Sequence, residues 1–390
     1  MKKVLIMYAT YGMGHKKIAE YIETYFKEQG NFEIEMVDIL KYSTPFFGFL
    51  TQKTFEKINF SIPYIWDMIY NAFNKQITLF PKKTVIMSTF KFKGLKKKII
   101  NFNPDLVIST HSFCSTIISE YKKKEKLNTK LITIVTDYEA HKLWTDNKKY
   151  EDYLIIGNSL EKKELVKKGF PKNKIKDIGI PLSSDFNKEN YNKEKTIKEY
   201  NLDKKLKTLV FFCSRGKITN EYAKELVKMK LNYNIIIVTG NNSKLKDSIK
   251  EIAQKYNNEQ IKILGYINNV PELLNVADLV VTKPGGATVT ECLYFNVPML
   301  FIGKHAGQEK ANARFLEKQK CALISTRVGN MIKQIDKLLL NEKRFEKYKN
   351  NTKKINKKDA MKDLFLLATE VMEVKKWKRY QLICYPVQIK

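Results

Sequence analysis

Residues 282–291 (TKPGGATVTE) combine the residue types that can hold a phosphate group and a pair of sugar hydroxyls. The glycine pair Gly285 and Gly286 separates a short apolar run from a segment with helical spacing. Glycines at such a turn let backbone N–H groups approach an anion, and the helix N-terminus behind them carries a partial positive charge. Glu291 follows within the predicted helix, where its carboxylate can accept both hydroxyls of a ribose. The pattern predicts a diphosphate cradle; the alternative is a tight turn followed by a solvated acid.

The chain has 4 histidines, and each falls in a loop just after a predicted strand: His15, His111, His141 and His305. In open α/β sheets such loops line the ligand crevice. We expect His15 to be a general base, because a neutral imidazole can take a proton from an attacking hydroxyl near neutral pH. The alternative is that His15 caps the following helix or binds a phosphate.

Two further pairs of side chains can act at the same crevice. Asp137 ends a predicted strand and His141 follows four residues later, so both are predicted to line the acceptor side. Otherwise Asp137 is a helix N-cap and His141 part of the first turn. Gln308 and Glu309 open a predicted helix, and an amide beside a carboxylate can bracket the hydroxyls of a hexose. A merely polar helix start is the alternative there.

Neither metal chemistry nor a serine or cysteine nucleophile is predicted. No cluster of Asp, His and Glu has metal-ligand spacing, and no GxSxG motif occurs. The 5 cysteines show no CxxC spacing and are expected to be reduced thiols of a cytosolic protein. No signal peptide and no apolar run of membrane-spanning length is found, so we expect a soluble or peripheral protein.

The charge balance of the chain is strongly basic. The 390 residues contain 71 Lys+Arg against 41 Asp+Glu, which gives a formal net charge of +30. Such a surface attracts polyanions, either nucleic acid or anionic lipid head groups. Because lysine greatly outnumbers arginine, a compositional bias of the source genome is the alternative.

Regular alternation of strands and helices surrounds these candidate residues. A buried-type strand ends at Tyr8 and is followed by a glycine loop and a helix, which is the opening unit of a doubly wound fold. The same scheme begins again after residue 207. We therefore predict an α/β protein with two Rossmann-like domains facing a central cleft. The predicted ranges are 1–185 for the first domain, 186–206 for a polar linker, 207–366 for the second domain and 367–390 for a basic tail.

Residues 44–100 differ from the rest of the first domain, because aromatic side chains alternate with lysines. This composition suits a bilayer interface, where rings lie at head-group depth and ammonium groups meet anionic lipid. The alternative is a helical insertion whose lysines form a solvated face. The predicted membrane residues are Phe46, Phe47, Trp66, Lys91, Lys93, Lys96, Lys97 and Lys98.

Several motifs together resemble a known enzyme family. The blocks KILGY, ADLVVTKPGGATVTE, NVPMLFIG and GQEKANARFL are similar to the nucleotide-sugar half of a GT-B glycosyltransferase of family 28. The blocks YATYGMGHKKIAEYI, STHSF, IVTDYEAHKLW and IGIPL resemble the branch of monogalactosyldiacylglycerol synthases and processive diacylglycerol glucosyltransferases. The resemblance covers nearly the whole chain, from Val4 to about Leu366.

The resemblance implies roles for particular residues. Glu291 would hold the ribose, the backbone at Tyr266 would meet the uracil, and His15 would be the base. The diphosphate would be held by Gly285, Gly286, Ala287, Thr288, Ser214 and Gly216, and the donor sugar by Gln308 and Glu309. Two positions depart from the family pattern: Arg215, where relatives usually have small residues, and His111, where the glucosyltransferase branch tends to be apolar.

The resemblance implies an inverting hexosyltransferase that moves a hexose from UDP-glucose or UDP-galactose to diacylglycerol at the cytoplasmic face of the cell membrane. The expected partners are the UDP-hexose, diacylglycerol and an anionic membrane surface, with no nucleic acid, no metal and no other cofactor. A second enzyme hypothesis is transfer of N-acetylglucosamine to a polyprenyl-linked cell-wall precursor. A nucleic-acid-binding protein is the hypothesis from charge alone, but no RRM, KH or helix-turn-helix pattern is found.

Overall fold

The structure is a computed structural model of the chain. It describes residues 1–10, 13–42, 92, 94–125, 127–141, 144–146, 148–213, 217–229, 231–258 and 261–372. The predicted insertion at 44–100 lies outside the described residues except for 92 and 94–100, and so does the basic tail beyond 372.

The first half of the chain forms a parallel sheet of six strands. These are β1 Lys2–Tyr8, β2 Phe32–Asp38, β3 Leu106–Ser109, β4 Lys130–Ile134, β5 Tyr153–Ile155 and β6 Ile175–Lys176. Their order across the sheet is β2-β1-β3-β4-β5-β6. The central strand β3 is buried along its whole length because helices cover both faces of the sheet, and this explains its unbroken apolar run.

Helices α1 Met13–Gln29, α2 Leu95–Phe102, α3 Ser112–Lys124 and α4 Leu160–Lys167 accompany this sheet. Helix α1 buries the side chains predicted from its helical spacing, which are Ile18, Ala19, Ile22 and Phe26. Because α1 starts almost directly after β1, its first turn is held at the carboxyl edge of the sheet.

The second half repeats the parallel architecture. Its strands are β7 Thr208–Phe212, β8 Asn234–Val238, β9 Ile261–Leu264, β10 Leu279–Thr282, β11 Met299–Ile302 and β12 Ala322–Ser325. They lie in the order β12-β11-β10-β7-β8-β9. The two parallel sheets confirm the predicted pair of Rossmann-like domains. Strand β12 was not predicted.

The helices of the second half are α5 Lys193–Glu199, α6 Lys217–Lys228, α7 Ser243–Lys255, α8 Val270–Val276, α9 Gly286–Tyr294, α10 Gly307–Lys318, α11 Val328–Leu339, α12 Glu342–Ile355 and α13 Ala360–Val371. Helix α5 lies in the segment predicted as a linker from its polar composition. It packs on α8, with Thr196 Oγ1 donating to Glu272 Oε1 at 3.1 Å. This polar segment is therefore a docked helix.

The last described helix returns to the first half. The Phe365 ring on α13 lies 5.1 Å from the Phe26 ring and 5.8 Å from the Phe32 ring, measured between centroids. Just before α13, Lys357 Nζ lies 2.8 Å from Asp177 Oδ2. The predicted domain boundary at residue 366 therefore falls inside a helix that joins the two halves.

Each sheet has one point where the strand order reverses. In the first sheet β2 and β3 lie on opposite sides of β1, and in the second β8 and β10 lie on opposite sides of β7. Ligands of open α/β sheets bind beyond the carboxyl ends of the strands at such points. A ligand site is therefore expected beyond the carboxyl ends of β1, β3 and β10.

Candidate active site

His15 lies in the first turn of α1, at the reversal point of the first sheet. Its Nδ1 is 2.7 Å from the carbonyl oxygen of Thr110 and 2.9 Å from Thr136 Oγ1. A carbonyl oxygen only accepts, so Nδ1 carries the hydrogen and Nε2 keeps its lone pair in the neutral ring. Burial lowers the pKa of His15 to about 4, against the opposing hydrogen bond to Thr110. The ring is therefore neutral at pH 7 and able to accept a proton at Nε2.

His111 follows β3 and lies beside His15, with the two ring centroids 4.7 Å apart in an edge-to-face arrangement. It is the N-cap of α3, and its Nδ1 accepts from the Phe113 backbone N–H at 3.2 Å. Capping satisfies a backbone donor that the helix itself leaves unpaired. The family resemblance assigned His111 no role, and the structure shows this capping one.

Asp137 and His141 belong to the loop that follows β4. Asp137 is 7% exposed, and Asn312 Nδ2 of the second half donates to its Oδ1 at 3.0 Å. Burial raises the pKa of Asp137 to about 6, helped by the charge of Glu309 and opposed by the Asn312 hydrogen bond. His141 is half-buried at the end of the loop, its ring centroid 5.7 Å from that of Trp144. Asp137 therefore faces the second half directly.

Two polar side chains hold the shape of this loop from the first half. Asn158 Nδ2 donates to the Tyr138 carbonyl oxygen at 2.7 Å. Glu161 accepts from the Ala140 backbone N–H. Burial raises the pKa of Glu161 to about 8, although the Ala140 hydrogen bond opposes the shift. These contacts connect the loop after β4 to Asn158 and Glu161 of the same half.

The glycine pair lies between β10 and α9, as its sequence predicted. Gly285 is the N-cap of α9, and a Cβ atom added to it would meet nothing within 4 Å. A Cβ added to Gly286 would lie 1.8 Å from the Thr136 carbonyl oxygen. Only glycine therefore fits position 286, and the reason is close approach of the first half. Ala287 is buried opposite Gly14, with 3.8 Å between its Cβ and a Cβ built on that glycine.

Glu291, on the same helix, is turned toward the first half and is 3% exposed. Lys17 Nζ lies 2.6 Å from its Oε1, and Tyr21 Oη donates to the same oxygen at 3.5 Å. Burial raises the pKa of the Glu291 carboxyl, while the charge of Lys17 opposes the shift. Burial also works against the Lys17 ammonium, but the charge of Glu291 raises the Lys17 pKa above its ordinary value. The carboxylate predicted to hold the ribose is thus ion-paired with a lysine of the opposite half.

The first turn of α10 carries Gln308 and Glu309. Gln308 Oε1 and His305 Nε2 are buried and have no hydrogen-bond partner among the described residues. Glu309 Oε2 lies 3.7 Å from His305 Nδ1. Burial raises the pKa of Glu309, but the charge of Lys283 and the contact with His305 outweigh it and lower the pKa overall. Hydroxyl groups of a ligand would supply the hydrogen bonds that these two buried atoms lack within the described residues.

The remaining predicted donor residues are placed unequally. Thr288 is half-buried on α9, and Tyr266 is 67% exposed just after β9. Ser214 and Gly216, predicted to face the diphosphate from the loop after β7, lie outside the described residues. The predicted contacts of Ser214 and Gly216 with the diphosphate therefore stay a prediction.

The predicted membrane residues are described only on α2. Lys96 Nζ lies 2.8 Å from Glu125 Oε1, Lys98 Nζ lies 2.5 Å from Glu35 Oε2, and Lys97 is exposed. The other five, Phe46, Phe47, Trp66, Lys91 and Lys93, lie outside the described residues. The lysines on α2 therefore differ in how much free charge they offer to an anionic surface.

Three residues of the site were not singled out from the sequence: Lys17, Thr136 and Asn312. Asn312 carried a signal, because it is a polar residue among the apolar positions of an amphipathic helix, beside the buried Ala311 and Ala313. The other two gave none, since a lysine near a helix start and a threonine at a strand end are common. Within the described residues, no group of three or more His, Cys, Asp or Glu is placed to hold a metal ion.

Comparison with known families agrees with the motifs in both halves. The family model for monogalactosyldiacylglycerol (MGDG) synthase matches residues 15–182. The model for the glycosyltransferase family 28 C-terminal domain matches residues 217–364.

Curated relatives match the chain over nearly its whole length. A processive diacylglycerol beta-glucosyltransferase from Bacillus pumilus is 30% identical over 371 residues, covering 92% of each chain. The protein of the same name from Bacillus subtilis is 28% identical over 382 residues, covering 96% of this chain and 97% of that one. Among solved structures, MurG from Acinetobacter baumannii matches with a TM-score of 0.64 and 16% identity, covering 95% of this chain and all of the other. That likeness concerns the fold, and it confirms the predicted GT-B architecture.

Proposed function

Because the chain belongs to the monogalactosyldiacylglycerol synthase and processive diacylglycerol glucosyltransferase branch of glycosyltransferase family 28, we propose that it transfers a hexose from a UDP-sugar to the hydroxyl of diacylglycerol. The observation that supports this proposal is that Thr136 contacts both His15 and the N-terminal turn of α9. Thr136 contacts the His15 ring with its hydroxyl and approaches Gly286 with its carbonyl oxygen. A proton acceptor and an anion-binding turn are thereby held at one place.

The donor side is assigned to α9 and α10. The N–H groups at the start of α9 and its partial positive charge suit a diphosphate. Gln308 Oε1, which has no hydrogen-bond partner in the described part of the chain, and the ionised Glu309 suit hydroxyls of the sugar. Glu291 is assigned to the ribose, which requires that Lys17 leave the carboxylate when the donor binds. We take glucose as the donor sugar, because the curated relatives are named as glucosyltransferases.

The reaction is proposed as a single displacement with inversion at the sugar carbon. The diacylglycerol hydroxyl gives its proton to His15 Nε2 while its oxygen bonds to C1 of the hexose. The bond from C1 to the phosphate oxygen breaks at the same time, and its electron pair leaves with UDP. Charge developing on UDP is stabilised by the α9 N-terminus, in the manner of electrostatic stabilisation generally. We propose that no metal ion takes part; EDTA should leave turnover unchanged.

The acceptor is a membrane lipid, so the protein must reach a bilayer surface. Within the described residues, no helix has both the length and the apolar character to cross a membrane. We propose peripheral binding at the cytoplasmic face, driven by attraction between anionic lipid and the net charge of +30. Lys97 is the described lysine of the predicted membrane set that suits this role best.

The test is a direct assay of products. Purified protein is incubated with diacylglycerol vesicles and UDP-glucose, UDP-galactose or UDP-N-acetylglucosamine, and the lipids are analysed by mass spectrometry. Hexosyl diacylglycerol formed from UDP-glucose supports the proposal, and the anomeric configuration reports inversion. Product from UDP-galactose alone would change the donor. Transfer only from UDP-N-acetylglucosamine to a polyprenyl-linked acceptor would overturn the proposal in favour of the cell-wall hypothesis.

A further inference from the structure

Asn312 on α10 hydrogen-bonds the acceptor-side loop and the donor loop at once. Its Oδ1 accepts from the Tyr138 backbone N–H at 2.8 Å. Its Nδ2 donates to Asp137 Oδ1 and to the Pro284 carbonyl oxygen, both at 3.0 Å. The side chain is fully buried, at 0% exposure. Asn312 therefore links the segment after β4 in the first half to the residue before the glycine pair in the second.

The three hydrogen bonds use both N–H hydrogens and the carbonyl oxygen of the Asn312 amide. A carboxylate at this position would lose both donated bonds, and an aliphatic side chain would leave three buried polar groups without their partner. The Asn312 amide has no N–H hydrogen left to donate to a sugar. Gln308 differs, because its Oε1 has no partner within the described residues and is able to accept a hydrogen bond from a sugar hydroxyl. Neighbouring polar residues of α10 thus have different tasks.

The segment held by Asn312 also contacts the proposed base. Thr136 precedes Asp137, and its Oγ1 lies 2.9 Å from His15 Nδ1. On the other side, the Tyr138 hydroxyl lies 3.0 Å from Thr290 Oγ1 on α9. Residues 136–138 therefore contact His15 through Thr136, α9 through Tyr138 and α10 through Asp137.

We propose that Asn312 is a positioning residue: in the closed enzyme it clamps residues 136–138 to Pro284 and thereby fixes His15 and Asp137 relative to the donor. This inference rests on the proposed function, because it concerns the same site. Asn312 acts through other residues and makes no contact with the reacting atoms. Its loss should therefore lower kcat much more than it raises the KM for UDP-hexose.

The charges around Asp137 make a sharp test possible. Asp137 faces Glu309 from α10 and Glu161 from α4, and Lys283 and His305 face Glu309. Asn312→Asp would add a carboxylate within hydrogen-bond distance of Asp137. Two carboxylates this close raise the pKa of the pair, so they would repel at high pH, where both are ionised, and would share one proton at lower pH. The shared proton would restore the link between the two halves.

The experiment compares Asn312→Asp and Asn312→Ala with the parent enzyme and with a control, Asn234→Asp. Asn234 is also a buried amide, whose Nδ2 donates to the carbonyl oxygens of Asp203 and Leu206, but it lies at the start of β8. We expect kcat to fall about 10²-fold in both Asn312 variants near pH 8, as for a misplaced catalytic group. As the pH is lowered to about 5.5, Asn312→Asp should recover at least tenfold relative to the parent, and Asn312→Ala should not.

A second readout does not depend on turnover. Hydrogen exchange of the Tyr138 amide should be faster in Asn312→Ala with and without UDP, because the acceptor of that N–H is removed, whereas Asn312→Asp keeps an acceptor oxygen and should stay closer to the parent. Unchanged Tyr138 exchange and unchanged kcat in both variants would overturn the inference, as would the same pH recovery in Asn234→Asp. If Asn312→Ala does not fold, the near-isosteric Asn312→Asp decides alone. An inactive parent enzyme would refute the proposed function, while the exchange data would still test the clamp.

Discussion

Lys17 Nζ and Glu291 Oε1 lie 2.6 Å apart, joining the first helix of one half to the glycine-loop helix of the other. The carboxylate is 3% exposed and the lysine side chain 37%. The pair therefore joins the two halves of the chain directly. It also occupies the group that the family resemblance assigns to the ribose, so the proposed binding of the donor at Glu291 would require this contact to open.

The first prediction concerns this ion pair. Lys17→Met should lower the free energy of unfolding by about 1–2 kcal/mol, because it leaves a buried carboxylate without its cation; the usual 3–5 kcal/mol is reduced by the exposure of Lys17. Glu291→Gln in the same chain should recover most of the loss. Thermal unfolding checks both. Lys167→Met is the control, since Lys167 pairs with Glu164 on an exposed surface.

The same variant should have a pH signature. Burial already raises the pKa of Glu291 in the folded protein, and removing Lys17 raises it further. A carboxyl whose folded pKa is raised destabilises the protein where it is ionised, so the defect of Lys17→Met should shrink as the pH falls. A defect that is equal at all pH values would show that Lys17 stabilises by packing alone. Tighter UDP binding by Lys17→Met would show that the lysine competes with the ribose.

The second prediction concerns His15. Its pKa of about 4 means that the acid limb of the kcat/KM profile due to this group should lie well below the ordinary histidine value. His15→Gln should lower kcat by roughly 10²–10⁴-fold, since general-base help is lost, and should leave UDP affinity within a few-fold of the parent. The measurement is a pH–rate profile with isothermal titration of UDP. Full turnover in the variant would remove His15 from the mechanism.

The third prediction separates the two glycines. Gly286→Ala would put a Cβ 1.8 Å from the Thr136 carbonyl oxygen, so the halves must separate or the helix must shift. We expect a loss of stability of about 1–3 kcal/mol and a fall in kcat of about 10²-fold. Gly285→Ala is the matched control, because its Cβ meets nothing within 4 Å and its φ of −72° suits alanine. If Gly285→Ala abolishes UDP binding, that glycine is needed by the nucleotide itself.

The fourth prediction concerns membrane binding. Lys96 and Lys98 are paired with Glu125 and Glu35, whereas Lys97 is exposed. Lys97→Gln should therefore weaken binding to anionic vesicles about fivefold, from about 1 kcal/mol per near-surface lysine. Lys96→Gln and Lys98→Gln should each have a smaller effect. Vesicle sedimentation at low and high salt checks this, with Lys353→Gln on α12 as the control. Equal effects at all four positions would indicate a response to net charge alone.

Local sequence patterns were enough for most of the secondary structure and for the general position of the site. The described strands other than β12 were predicted because buried parallel strands are short continuous apolar runs between turn residues. The glycine turn after β10 was predicted because a glycine pair between a strand and a helix is a local signal. Strand β12 and helix α5 were missed or misjudged where the local signal was weak and packing decided the structure.

The sequence by itself determined which residue types stand at the carboxyl ends of the strands, including His15, Asp137 and the glycine pair. Only the tertiary structure decided which of them meet. Lys17 and Glu291 are 274 positions apart, and Asn312 and Asp137 are 175 positions apart. Their contacts arise where α1 and the loop after β4 meet α9 and α10 of the other half, and α13 also bridges the two halves. The periodicity of a helix or strand does not predict such a contact, because each of these residues is covered only by the other half of the chain.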